Sequence, residues 1–234
     1  MPAGTPLAKP NFPLFGITHV LILLSIPVTA GGLAYWARRG GRAVETGRRL
    51  LGGLLLLNEL GWYGFKLYKG WFQFPAGLPL QLCDLTLWCT ILAAFTRRQA
   101  VFEFAFFTGL AGALMAVLTP DLWEPFPSYP TIYFFVAHCG IAATLLYLWW
   151  SGAARPRAGC VRRVMLLANG YAVFIGVFNA VFHTNYMYLC RKPRNASLLD
   201  YMGPWPVYIL TGEVVALCLF GLLWAPFRRR GMVS

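Results

Sequence analysis

"LPLQLCDLTLWCTILAAFTRRQAVFEFAFFTGLAGALMAVLT", residues 78–119, decides the fold. Two apolar runs, 78–95 and 100–119, flank the pair Arg97 and Arg98. Each run is close to the ~20 residues that a helix needs to cross a hydrocarbon core about 30 Å thick. Two membrane helices joined by a basic turn place the chain in lipid. Yet the first run carries Gln81, Cys83 and Asp84 close together, and lipid offers none of them a partner.

The rest of the chain has the same character. Over 234 residues it is 58% hydrophobic and 12% charged, with mean hydropathy +0.58, far more apolar than a soluble domain. Segments 13–36, 50–69, 131–151, 164–187 and 204–225 read as further crossings. Connections are short, and no repeat, low-complexity tract or linker divides the chain. The expectation is one integral membrane domain, 1–234, all-α, a polytopic seven-transmembrane-helix bundle.

The net charge of +12 does not indicate nucleic acid, because the basic residues alternate between connections. With the N-terminus outside, Arg38, Arg39, Arg42, Arg48, Arg49, Arg97, Arg98, Arg155, Arg157, Arg162, Arg163, Arg228, Arg229 and Arg230 fall inside, 14 of the 20. Lys9, Lys66, Lys69, Arg191, Lys192 and Arg194 fall outside. That bias predicts an N-out, C-in, multi-pass protein of the cell membrane. Membrane lipids are then the expected partners, anionic headgroups among them. Cleavage after "PVTA", 27–30, would leave Arg38 and Arg39 outside, so the first helix is read as retained. The six cysteines show no CxxC pattern, and four lie within expected spans, which argues against a disulfide framework.

Depth follows from a rise of 1.5 Å per residue. Cys83 lies about 8 Å below the outer surface and His138 about 10 Å below it. His19, Asn179, His183 and Asn185 share that layer, with Glu213 deeper, Glu59 near the middle and Glu103 near the inner face. Helical spacing sets Cys83, Thr86 and Thr90 on one strip of span three, with Gln81 and Asp84 on the next. Asn169, Gly176, Asn179, His183 and Tyr186 form an inward stripe on span six. Glu59, Tyr63 and Lys66 form another on span two, read as an internal ion pair.

A thiol beside an imidazole can become a thiolate nucleophile, so Cys83 and His138 are a candidate couple. Purely structural roles for both are the plainer reading of spacing alone. His19, His138 and His183 with Asp84 could instead hold zinc, but no HExxH or HxxxH spacing supports that. A bis-histidine haem pair would want histidines at both depths. No metal or cofactor is assigned.

The succession "LPLQLCDLTL", "FEFAFFTGLAGALMAVLTPDL", "FPSYPTIYFFVAHCGI" and "NYMYLCRKPRNASLLDYMGPWPVYI" resembles the YwaF family of bacterial integral membrane proteins, which has animal relatives. The animal branch is described as a thioester-forming acyltransferase acting on ether lysophospholipids. The resemblance implies catalytic roles for Cys83 in "QLCD" and His138 in "VAHCG". "LTPDL", "NYMYL" and "GPWP" belong to the pattern without an assigned role.

The leading expectation is a lipid acyltransferase or acyl hydrolase. Cys83 is its nucleophile and His138 its base, with Gln81, Asn179 or His183 as oxyanion donors and Asp84, Asn185 and Glu213 in support. The alternative is a non-enzymatic bundle that binds or transports a small polar or lipidic ligand. The proline-rich connection 120–130 offers a rim of Asp121, Trp123 and Glu124. "NAS", 195–197, matches a glycosylation sequon by chance.

Overall fold

The computed structural model describes residues 12–122, 124–193 and 198–228. Trp123, the "NAS" sequon, Lys9, Arg194, Arg229 and Arg230 lie outside the described residues.

Among the described residues the architecture is entirely helical, with no strand: α1 (Ile17–Ala37), α2 (Gly41–Tyr68), α3 (Leu82–Thr96), α4 (Gln99–Leu118), α5 (Tyr129–Trp150), α6 (Cys160–Phe182) and α7 (Val207–Arg228). Short 3-10 helices at Tyr186–Tyr188 and Leu198–Met202 fill the connection from α6 to α7. Five helices, α1, α4, α5, α6 and α7, are long and apolar enough to cross a membrane. The other two depart from that pattern for visible reasons. Helix α2 runs for 28 residues and includes the polar turns before Leu50. Helix α3 has only 15 residues, because the chain around Pro79 is not helical and Gln81 caps the helix. Span three therefore begins at Leu82 rather than Leu78, and Cys83 falls in the first turn.

Close packing centres on α3, α4 and α5, with α2 and α1 against them. Gly109 of α4 permits it. A Cβ there would stand 2.5 Å from Leu145 Cδ1, 2.9 Å from Ile141 Cγ2 and 3.2 Å from Thr86 Cγ2, so atoms of α3 and α5 converge on its bare backbone. Gly140 of α5 likewise admits Leu55 of α2, whose Cδ2 would lie 2.7 Å from an added Cβ. Phe102, Phe106, Phe107, Leu145, Tyr147 and Leu148 are buried in this core. Helices α6 and α7 attach to its side, through α4 and each other, and leave long apolar faces exposed.

The arginine-rich end is tied by charge. Arg48, 5% exposed, donates from Nη1 to the carbonyls of Ala94 and Phe95, the latter at 2.8 Å, at the end of α3. Its Nε holds Glu45 at 2.7 Å. Buried Glu103 accepts from Gln99 (2.8 Å), the Arg157 N–H (3.0 Å) and Arg163 (2.9 Å), which binds the α5–α6 connection to the start of α4. A buried carboxylate with this many donors is satisfied.

Candidate functional site

The opposite end gathers the polar residues. Asp84 Oδ2 accepts the Gln81 N–H at 3.0 Å, and Gln81 Oε1 accepts the Met187 N–H at 2.9 Å. Asp84 thus caps α3, while Gln81 ties it to the connection after α6. Cys83 sits between them, and its side chain is exposed. Tyr133 of α5, Tyr171 of α6 and Tyr188 each interact electrostatically with the Cys83 thiol, and so do Glu59 of α2 and Asp84. The exposed Cys83 side chain, with groups of α2, α5, α6 and the α6–α7 connection in electrostatic range, marks the candidate crevice.

The walls are largely self-satisfied. Tyr133 donates to Glu59 Oε2 at 2.7 Å, and Glu59 is only 1% exposed. Tyr171 donates to the Leu80 carbonyl at 3.1 Å. The ion pair expected along Glu59, Tyr63 and Lys66 does not close directly. Seven residues separate its ends, about 10.5 Å of helix, and Lys66 instead donates to the Gly77 carbonyl at 2.8 Å. Its ammonium lies 5.9 Å from the Tyr63 ring centre and 5.2 Å from that of Phe72. Beside it is an apolar recess of about 210 Å³ lined by Tyr63, Leu67, Phe72 and Pro79.

The three histidines part company. The Nδ1 of His19 accepts the Phe15 N–H at 2.9 Å, so its proton is on Nε2 and is given to the Val117 carbonyl at 2.7 Å. Both nitrogens are occupied, and the ring is buried. In His138, Nδ1 faces the Phe134 carbonyl at 2.8 Å. A carbonyl can only accept, so Nδ1 carries the proton, and the lone pair of Nε2 has no hydrogen bond among the described residues. His183 ends α6 with φ 53° and is exposed. Among the described residues these histidines and Asp84 do not assemble a group that could hold a metal.

Asn179 donates to the Tyr186 carbonyl at 3.0 Å and accepts from Thr184 (2.7 Å) and the Tyr186 N–H (2.9 Å). Asn185 accepts the N–H groups of Cys190 and Arg191, both at 3.1 Å, and donates to the Arg191 carbonyl at 2.9 Å. These two amides shape the connection 183–191. Glu213 accepts from Asn169 at 2.9 Å and joins α7 to α6.

No hydrogen bond joins Cys83 to His138 among the described residues, but their register agrees. Helices α3 and α5 run in the same direction, and Thr86 and Ile141 meet at Gly109. Three residues back along each helix, about 4.5 Å, stand Cys83 and His138. Tyr133, Tyr171 and Tyr188 were not singled out in the sequence, because tyrosine near a membrane surface is commonplace. The one signal was "NYMYL", whose Met187 and Tyr188 adopt φ 57° and 53°.

Apolar crossing helices around a polar crevice at one end define a multi-pass helical membrane protein. The chain belongs to the TMEM164 family, whose model matches residues 14–224. That match carries membership and membrane class; it does not carry the YwaF name or the activity of animal relatives. An uncharacterised protein of Treponema pallidum (strain Nichols) is 32% identical over 156 residues, 64% of this chain and 62% of that relative. The chain thus matches about three-fifths of that relative's length. No solved structure matches the chain.

Proposed function

We propose that the crevice is a thiol site for acyl transfer or acyl hydrolysis on a membrane lipid, in a bundle whose seven helices all cross the cell membrane, N-terminus outside. The single observation that carries this reading is the exposed Cys83 side chain in the first turn of α3, between Gln81, which binds the connection after α6, and the capping Asp84. The lone pair on His138 Nε2, in the same layer, supports it as the base.

His138 takes the thiol proton as sulfur bonds the ester carbonyl carbon and the π pair moves to oxygen. Collapse breaks the ester carbon–oxygen bond, and His138 returns the proton to the departing lysolipid hydroxyl. An acceptor hydroxyl, or water, then gives its proton to His138 and attacks the thioester carbonyl carbon; collapse breaks the carbon–sulfur bond, and His138 returns the proton to the Cys83 thiolate. Gln81, two residues before Cys83, is the amide donor to the new oxyanion: its Oε1 is held by Met187, and its Nε2 has no hydrogen bond among the described residues. The resemblance to acyltransferase relatives agrees with this chemistry. Glu59 and Asp84 favour a second reading, in which the same crevice only binds a polar or lipidic ligand.

The test is lipid profiling of cells making wild-type or Cys83→Ser protein, paired with labelling by an acyl-mimicking electrophile in native membranes. Acyl transfer requires a lipid change that Cys83→Ser removes and labelling that His138→Gln weakens. Unchanged lipids with an unreactive Cys83 leave the binding reading.

A further inference from the structure

Tyr188 is held in a backbone conformation that bulky residues avoid. Its φ of 53° follows 57° at Met187, so two successive non-glycine residues are left-handed. Such a conformation persists only where the surroundings over-determine it. Here they do, from several sides: Met187 N–H is given to Gln81 on α3 at 2.9 Å, and Tyr188 N–H to the Asn185 carbonyl at 3.3 Å. The Tyr188 carbonyl accepts from the Tyr208 hydroxyl on α7. The neighbouring Leu189 carbonyl accepts from Trp205 Nε1 at 3.0 Å. The connection is pinned at both edges of this one residue.

The pinning fixes where Tyr188 sits, beside the start of α3. Gln81, which holds Met187, is two residues from Cys83, and the Tyr188 side chain interacts electrostatically with that thiol. Of the three phenols around Cys83, Tyr133 is spent on Glu59 and Tyr171 on Leu80. The Tyr188 hydroxyl has no hydrogen-bond partner among the described residues. Tyr188 is 38% exposed, next to the residue that Gln81 holds at the start of α3, so its hydroxyl is open to meet a group bound beside Cys83.

We infer that Tyr188 is a catalytic residue of this site, whose phenol donates a hydrogen bond to the oxyanion formed when Cys83 attacks an ester carbonyl. The inference rests on the reading of Cys83 as the nucleophile. Tyr188 shares the oxyanion with Gln81, in keeping with the two-donor arrangement common to acyl transfer. The phenol remains a donor at neutral pH. Burial pushes its pKa above the ordinary tyrosine value, and the charges of Asp121 and Cys83 push the same way. No proton moves from Tyr188 in the step; His138 carries the only transferred proton.

The test compares two reactions of the same thiol in protein reconstituted in lipid nanodiscs. Acylation of Cys83 by p-nitrophenyl octanoate passes through an oxyanion, whereas alkylation by iodoacetamide does not. In Tyr188→Phe, which keeps the ring, acylation followed by intact mass should fall about 100-fold, the scale of losing one oxyanion donor. Alkylation should stay within about two-fold, since no oxyanion forms to be held. Equal acylation in variant and wild type overturns the inference alone. An equal fall in both reactions also overturns it, by making Tyr188 a determinant of access or folding. Absence of acylation in the wild type overturns the nucleophile reading as well.

Discussion

At the scale of single residues, the histidines of α1 and α5 show how partners decide roles. His19 satisfies the Val117 carbonyl, 98 residues away in sequence, and receives the Phe15 N–H. His138 bonds only a carbonyl of its own helix that already has a helical donor. Removing His19 leaves buried partners unmade, at a cost of about 1–3 kcal/mol; removing His138 strands nothing. His19→Ala should therefore lower the melting temperature by several degrees, while His138→Gln should melt near wild type and show weakened Cys83 labelling. Thermal unfolding in detergent, read beside labelling, checks both. Depth along the helices assigns both rings to one layer. It could not tell them apart, because the tautomer is set by contacts that sequence spacing does not reveal. Gln81 and Asp84, whose presence in an apolar run raised the first question, prove to cap α3 and to bind its neighbour.

At the scale of elements, the register of α3 and α5 depends on α4 lying close to both. An alanine at Gly109 would force its methyl against Leu145, Ile141 and Thr86. Overpacking of this kind costs about 1–3 kcal/mol, and here it would shift the helices that carry Cys83 and His138. Gly112→Ala, where nothing lies within 4 Å, is the control. Gly109→Ala should melt lower and slow Cys83 labelling, and Gly112→Ala should do neither. The clamp at the far end of α3 adds a pH dependence. The hydrogen bond from Arg48, with the charges of Arg48, Arg49 and Arg97, holds the Glu45 carboxyl below its ordinary value of 4.5. Its contribution is present above that value and is lost as pH falls through the lower, folded one. Acid melts should thus lose stability below about pH 4.5 in wild type, and less steeply in Glu45→Gln. Hydropathy made the long helices legible. The ends of α3 and α6 were not, since α3 starts at a cap and α6 stops at a left-handed His183 where a glycine would be usual.

At the scale of the whole molecule, charge and chemistry sit at opposite ends. Arg48, Glu45, Glu103 and Arg163 knit one end together, whereas the crevice with Cys83, Asp84 and Tyr188 occupies the other. The alternation of arginines along the chain was readable without coordinates, because each helix reverses direction and the connections carry the sign. In the orientation proposed above, which follows the positive-inside rule, the arginine-rich end faces the cytoplasm and the crevice faces outward. A reporter after Ser234 should be active only inside, and a tag before Met1 should be reachable only outside. A thiol reagent too polar to cross the bilayer should label Cys83 in intact cells. Cys218 is also exposed, but it lies on an apolar face of α7 well below the surface, where such a reagent has no aqueous path. Labelling of Cys83 with Cys218 spared, and protection of Cys83 by added lysolipid, would fix both the orientation and the wet crevice. Labelling of Cys83 only in inverted vesicles would turn the molecule over and put its substrate in the inner leaflet; equal protection of both thiols in either orientation would close the crevice and return Cys83 to a packing role.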